Sequence, residues 1–261
     1  MLLSVKDLHV HFPVKKGVFA RTVGWVRAVN GVSIDVAEGE TLGVVGESGC
    51  GKSTLSRAIL KLVRPTSGEI YFDGRDILRI HGKELLAYRR DMQVVFQDPF
   101  ASLNPRHTVE HIVTDGALVH GIVDNTTCHD YAAELMKSVG LDPDILSRYP
   151  HEFSGGQRQR ISIARAVALK PRFLICDEAV SALDLSVRDQ VLELLAELKK
   201  KLKLSMIFIT HDIGVVAQVA DRIAVMNAGQ VVESGTANDV INSPKDDYTK
   251  KLLSAVPRIT T

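Results

Sequence analysis

With 261 residues, 24% of them charged, and a formal net charge of +1, the chain has room for one large domain or a core with an inserted subdomain, and it offers no basic footprint for nucleic acid. Three cysteines, Cys50, Cys128 and Cys176, share no CxxC spacing, which argues against a disulfide framework, a zinc site or an iron–sulfur cluster. No signal-peptide pattern opens the chain and no apolar stretch approaches the ~20 residues that a bilayer requires, so the expectation is a soluble, cytoplasmic protein, and any membrane role must come through a partner.

Residues 2–12 alternate in polarity as a strand does. A polar, Gly-containing excursion spans 15–24, and residues 26–36 read as further strand with a turn at Asn30-Gly31. Glu38-Gly39-Glu40 turns the chain into Leu42-Gly43-Val44-Val45, an apolar run that reads as a buried strand. It enters Gly46-Glu47-Ser48-Gly49-Cys50-Gly51-Lys52-Ser53, which fits G-x-x-x-x-G-K-[ST], the phosphate-binding loop pattern. Thr54 continues into a helical pattern that reaches Leu62 and stops near Pro65. The glycines let successive N–H groups point inward at a polyphosphate, and the helix N-terminus adds partial positive charge there. In this pattern Lys52 reaches the β- and γ-phosphates and the Ser53 hydroxyl is a Mg²⁺ ligand. A nucleotide-binding site over residues 46–54 is therefore expected.

Gly68-Glu69-Ile70-Tyr71-Phe72-Asp73-Gly74 is a strand ending in Asp-Gly, a hairpin signal. From Pro99 to about Ala168 helical patterns dominate, such as 131–139 closed by Gly140, and Pro143 and Pro150 break the segment into short helices. Strand signals return at 173–177 and 206–210, with an amphipathic helix over 187–202 between them. Lys199-Lys200-Lys201 on that helix reads as a solvated face, and Cys176 as a small core residue. Residues 223–226 and 230–233 form a hairpin through Asn227-Ala228-Gly229. Alternating strand and helix around the phosphate loop argues a parallel sheet covered by helices, without internal repeats.

A second constellation speaks of hydrolysis. Phe173-Leu174-Ile175-Cys176-Asp177-Glu178 is an apolar strand ending in two carboxylates. Consecutive strand side chains point to opposite sides, so Asp177 can face Mg²⁺ while Glu178 faces the attacking water as base. His211 ends a second apolar strand, where it can hydrogen-bond the γ-phosphate. Gln97 follows Val94-Val95-Phe96 in the same manner, and its amide could touch both Mg²⁺ and the nucleophilic water.

Phe153-Ser154-Gly155-Gly156-Gln157 precedes a helix over 161–168, with Ser154 as N-cap and the glycines leaving backbone N–H groups open. This is a second anion-binding helix start, and the economical reading is that it binds the nucleotide of another copy. Here the chain resembles the ATP-binding-cassette ATPases along essentially its whole length. The resemblance makes Gln97 the Q-loop residue, Ser154-Gly155-Gly156-Gln157 the signature, and 173–178 Walker B. Ser181-Ala182-Leu183-Asp184 becomes the D-loop and His211 the switch histidine. It implies ATP and Mg²⁺ as cofactors, with Ser53, Gln97 and, through water, Asp177 at the metal. It also implies two cassettes packed head-to-tail, so that Ser154, Gly155, Gly156, Gln157 and Asp184 meet the nucleotide of the opposite cassette. Phe12 matches the aromatic that stacks on adenine in this family, with Trp25 as rival.

Finer features are similar to the oligopeptide/dipeptide/nickel importer branch: 94–106, 149–153, 181–187 and 248–257, the last containing Tyr248-Thr249-Lys250-Lys251 and Pro257. Two departures are Ala179, where a Pro is usual, and a chain that stops just after Pro257, which weakens a peptide cargo and leaves nickel or metal-chelate uptake open. The expected fold is α/β: a P-loop (RecA-like) parallel-sheet core (1–96 and 169–235) with an N-terminal antiparallel β subdomain, an inserted α-helical subdomain (97–168) and a C-terminal tail (236–261) packing as a terminal helix. The expected function is the ATP-hydrolysing subunit of an importer at the cytoplasmic face of the membrane. Its expected partners are a second cassette, two transmembrane permease subunits and an extracytoplasmic substrate-binding protein, with no nucleic acid. A groove after Gln97 and in the helical insertion would take a coupling helix. The alternative is a soluble, non-transport cassette ATPase acting on nucleic acid or a protein complex.

Overall fold

The computed structural model describes residues 1–17 and 21–255; Val256 and Pro257 of the last family-like motif lie outside the described residues, as does the end of the expected tail. One unit is Met1–Leu85 joined by the chain from Ser205 onward, and the other is Leu86–Leu204.

In the first unit β1 (Leu3–Lys16) and β2 (Arg21–Val36) pair antiparallel from Leu3↔Val36 to Lys16↔Arg21. The expected excursion over 15–24 is therefore largely strand, with Lys15 opposite Thr22 and Val14 opposite Gly24; residues 18–20 of it lie outside the described residues. Asn30-Gly31 does not form the expected turn, because β2 runs through it. Leu8 pairs with Val32 and His9 with Asn30, so Gly31 is the extra residue of a β-bulge, at φ 77°. An Asn-Gly pair signals left-handed backbone, which a bulge uses as readily as a hairpin does.

The turn at 38–40 leads into β3 (Thr41–Val45), and α1 (Lys52–Ile59) follows the phosphate loop. β4 (Ser67–Phe72) pairs with β1 and turns into β5 (Arg75–Asp76), giving the order β2-β1-β4-β5. Asp73 and Gly74 have φ of 50° and 74°, so the expected Asp-Gly hairpin carries positive φ at both central positions, as a type I′ turn does.

After α2 (Gly82–Asp91), the second unit places β6 (Met92–Val95) beside the later β7 in parallel. Between them run α3 (Pro99–Ser102), α4 (Val109–Val119), α5 (Cys128–Ser138) and α6 (Gly155–Val167). Pro143 and Pro150 each open a one-turn 3-10 helix, where their fixed φ and missing N–H cost nothing. β7 (Phe173–Asp177) and α7 (Leu185–Leu202) complete the unit.

The chain returns to the first unit as β8 (Ser205–Thr210), α8 (Ile213–Val219), β9 (Arg222–Asn227) and β10 (Gln230–Thr236). β3 pairs in parallel with both β8 and β9, and β10 adds an antiparallel edge, in the order β10-β9-β3-β8. Every residue of β3 and β8 is buried, which is why both read as unbroken apolar runs. α8 lies directly on β3 at Gly43, where a Cβ would sit 2.1 Å from Val216 Cγ1. Among its described residues the tail forms two helices where one was expected, α9 (Ala237–Asn242) and α10 (Asp247–Ser254). Pro244 disfavours helical backbone at Ser243, whose ψ is 52°.

The bulge assignment yields a stability test. Gly31→Ala places a side chain at positive φ and is expected to lower unfolding free energy by roughly 1–3 kcal/mol in urea melts. Gly24→Ala, in the same strand with open space at its Cβ position, should not.

Candidate active site

Strand register brings the phosphate loop together. Val45 pairs with Thr210 on one side and Val225 on the other, so Gly46, His211 and Met226 leave the same carboxyl edge. A Cβ on Gly46 would meet Met226 O at 2.2 Å, and one on Gly51, whose φ is 110°, would meet Ala28 O at 2.0 Å. Backbone of β9 and β2 therefore walls the loop where side chains would otherwise stand. The Gly229 N–H, in the β9–β10 turn, donates to Cys50 O at 2.9 Å. α1 begins at Lys52 with no side-chain cap and no acidic residue in its first turn, an arrangement suited to an anion. Ser53 and Thr54 belong to that first turn.

Lys52 is 3% exposed, and its Nζ donates to Gly46 O at 2.7 Å and Glu47 O at 2.9 Å. A buried ammonium costs several kcal/mol unless such acceptors surround it. The Glu47 N–H donates to the Tyr248 hydroxyl at 2.9 Å, a contact with no local sequence signal. His211 stands exposed between β8 and Asp212, whose carboxylate caps α8 through the N–H groups of Gly214 and Val215. Phe12 pairs with Val26 while the next residue, Pro13, pairs with Trp25. Phe12 and Trp25 thus occupy opposite faces of the hairpin, and only one of the two faces can turn toward a base.

The second unit assembles the other chemistry. Val94 and Val95 pair with Ile175 and Cys176, so Gln97 and the pair Asp177, Glu178 leave the same end of β6 and β7. Asp177 is buried as the last residue of β7. Glu178 lies one residue beyond, at φ 52°, so its direction is set by a left-handed turn and not by the strand alternation expected. Ser181 holds that turn, donating its N–H (3.2 Å) and hydroxyl (2.9 Å) to Glu178 O. Burial, aided by the Asp177 carboxylate, pushes the Cys176 thiol up to about 12, which keeps it an inert core residue.

Ser154 caps α6 in a reciprocal box: its Oγ accepts from the Gln157 N–H at 3.3 Å, and Gln157 Oε1 accepts from the Ser154 N–H at 3.0 Å. The helix thus begins at Gly155, earlier than the 161–168 pattern suggested. Gly156 has a packing role that sequence reasoning missed, since a Cβ there would lie 2.5 Å from Val187 Cγ1 of α7. Asp184 stands at the N-cap of α7 yet makes no side-chain cap bond. A separate cleft of about 370 Å³ is lined by Gln93, Ser102, Asn104, Asp115, Arg165 and Leu169, among others. Arg165, its pKa lowered by burial, donates to Ser102 O at 2.5 Å. Near that segment Phe100 is exposed, with the Arg158 guanidinium 5.1 Å from its ring centroid.

Residues 29–181 match the ABC transporter family. Across 98% of its length the chain is 46% identical to the oligopeptide transport ATP-binding protein AppF of Bacillus subtilis, covering 78% of that protein. It is 48% identical, with the same coverage, to the oligopeptide transport ATP-binding protein OppF of Salmonella typhimurium. It is also 48% identical to the glutathione import ATP-binding protein GsiA of Pectobacterium atrosepticum, but spans only 41% of that protein's length. Among solved structures it matches the ATP-binding cassette MJ0796, dimeric and bound to ADP and Pi after hydrolysis, with a TM-score of 0.79 and 29% identity over 90% of this chain and 98% of that one. Similarity to cbiO1 from Clostridium perfringens, part of the transporter complex cbiONQ, gives a TM-score of 0.78 and 28% identity over 99% and 96% of the two chains.

The Gly156–Val187 approach can be checked by a double-mutant cycle. Gly156→Ala is expected to cost roughly 1–3 kcal/mol in denaturant melts through overpacking, and Val187→Ala in the same chain should recover most of it.

Proposed function

The chain belongs to the ABC transporter family, and from that membership we propose that it is the ATP-binding, ATP-hydrolysing subunit of an importer for peptides or nickel and other metal chelates. The observation that carries this reading is the phosphate loop: a buried Lys52 beside an uncapped helix start, at the carboxyl edge of parallel strands. Peptide-class cargo is the substrate we favour, because similar proteins are named for oligopeptides and glutathione.

In this proposal the residues 46–54 cradle the ATP phosphates and Phe12 stacks on adenine. Ser53, Gln97 and Asp177 are hard oxygen donors of the kind Mg²⁺ selects, and they would hold it, Asp177 through water. When bound, Mg²⁺ supplies charge neutralisation across the β- and γ-phosphates. Glu178 takes the proton of the attacking water, and His211 and Gln97 hold the γ-phosphate and the water in place. Ser154, Gly155, Gly156, Gln157 and Asp184 face the nucleotide of a second cassette, identical or not. No described helix is long and apolar enough to cross a membrane, so two permease subunits would supply the pathway and a binding protein would deliver cargo from outside. The chain would then sit peripherally at the cytoplasmic face. The cleft near Ser102 and the exposed residues of segment 100–106, Phe100 and Arg106 among them, would receive a coupling helix of a permease.

Steady-state ATPase assays of the chain and its Glu178→Gln variant test the chemistry. Turnover should fall by at least ~10²-fold in the variant, which should trap ATP in a dimer. Equal turnover would remove Glu178 as the base, and stimulation by nucleic acid instead of membrane partners would favour a non-transport ATPase. For coupling, replacing Phe100 and Arg106 should abolish transport in the reconstituted system while basal ATP hydrolysis persists; undiminished transport would remove the docking assignment.

A further inference from the structure

The hydrogen bond from the Glu47 N–H to the Tyr248 hydroxyl joins the phosphate loop to a residue 201 positions later in the chain. It ends a series of contacts that runs inward from the sheet of the first unit. Glu233 on β10 accepts from the backbone N–H groups of Lys245 (2.8 Å) and Asp246 (3.1 Å). Asp246 then caps α10, its Oδ1 accepting from the Tyr248 N–H at 2.8 Å. Thr249, the next residue, is fully buried and marks the side of α10 that faces inward. The Lys251 ammonium, one turn from Asp247, lies 3.7 Å from the Glu47 carboxylate, so two residues of α10 reach the same residue of the loop. That ion pair is exposed and contributes little by itself, which leaves the tyrosine bond as the main tie.

Resting on the reading of residues 46–54 as the ATP phosphate site, we propose that Tyr248 is a positioning residue for nucleotide binding. Its hydroxyl holds the peptide between Gly46 and Glu47, the point at which the loop leaves β3. Gly46 and Gly49, on either side of Glu47 and Ser48, give this part of the loop backbone freedom that it must lose when its N–H groups close on phosphate. A fixed acceptor at Glu47 removes part of that freedom before ATP arrives. Tyr248 touches no reacting atom in this arrangement, so it acts on affinity and not on the chemical step.

The test compares the wild-type chain with Tyr248→Phe, which removes one oxygen and keeps the ring. Three readouts are taken: amide hydrogen exchange at Glu47, the equilibrium dissociation constant for ATP, and KM and kcat of ATP hydrolysis. In the variant the Glu47 amide should exchange faster, while the dissociation constant and KM should both rise about three- to tenfold, the range that one neutral hydrogen bond commands. The value of kcat should not change. Asp246→Ala, which uncaps α10, should move the same quantities in the same direction and serves if the phenylalanine variant folds poorly. An unaltered ATP dissociation constant in a folded variant, or a fall in kcat at constant KM, overturns the inference and leaves the ATP-site reading standing. A wild-type chain that binds no ATP overturns the parent reading, and this inference with it.

Discussion

The first unit depends on the register of three parallel strands. With Val45 opposite both Thr210 and Val225, the phosphate loop, His211 and the β9–β10 turn all leave one edge of the sheet. A slip of one residue would exchange the two faces of β3 and displace the loop from its wall. Close packing prevents it: a slipped β3 would bring a side chain to the places where Gly43 lies against Val216 and Gly46 against Met226 O. The same arrangement in other open α/β sheets puts ligands at the carboxyl ends of strands, where helix starts and loop N–H groups gather.

Around that edge, backbone replaces side chain at the closest approaches. Ala28 O against Gly51 and Met226 O against Gly46 each occupy the place of a Cβ. Lys52 sits inside this shell. Its ammonium is buried and answered by the Gly46 and Glu47 carbonyls, so the loop is shaped around a buried charge.

Features carried by contiguous residues were legible in the sequence. The strands β3, β7 and β8 stood out because burial on both faces leaves an unbroken apolar run, and the turns at Asp73-Gly74 and Ala228-Gly229 because positive φ restricts what residues can stand there. The Ser154 cap was readable because serine is a good N-cap residue, while the helix begins at Gly155 and not at 161 as the pattern suggested. Asn30-Gly31 misled because a bulge and a hairpin make the same demand on φ. Gly156 was read for its open N–H, while its contact with Val187 belongs to an approach between two helices that no local pattern encodes. Tyr248 could not be placed for the same reason: its partner is set by how β10 and α10 return to the loop.

Glu178 gives the clearest link between local strain and assembly. A non-glycine residue in left-handed backbone costs on the order of 1–3 kcal/mol and persists only where its surroundings fix it. Here the buried Ala179 and Val180 anchor one side, and two hydrogen bonds from Ser181 close the turn. Three residues later the same turn ends at Asp184, whose carboxylate is not spent on capping α7. In the proposed dimer Asp184 faces the second cassette while Glu178 faces water. Ser181 and the Leu183 N–H to Val180 O bond at 3.3 Å lie on the short stretch of chain that joins Asp184 to Glu178. The turn thus holds a strained backbone at Glu178 and, six residues on, an N-cap side chain that makes no cap bond to α7.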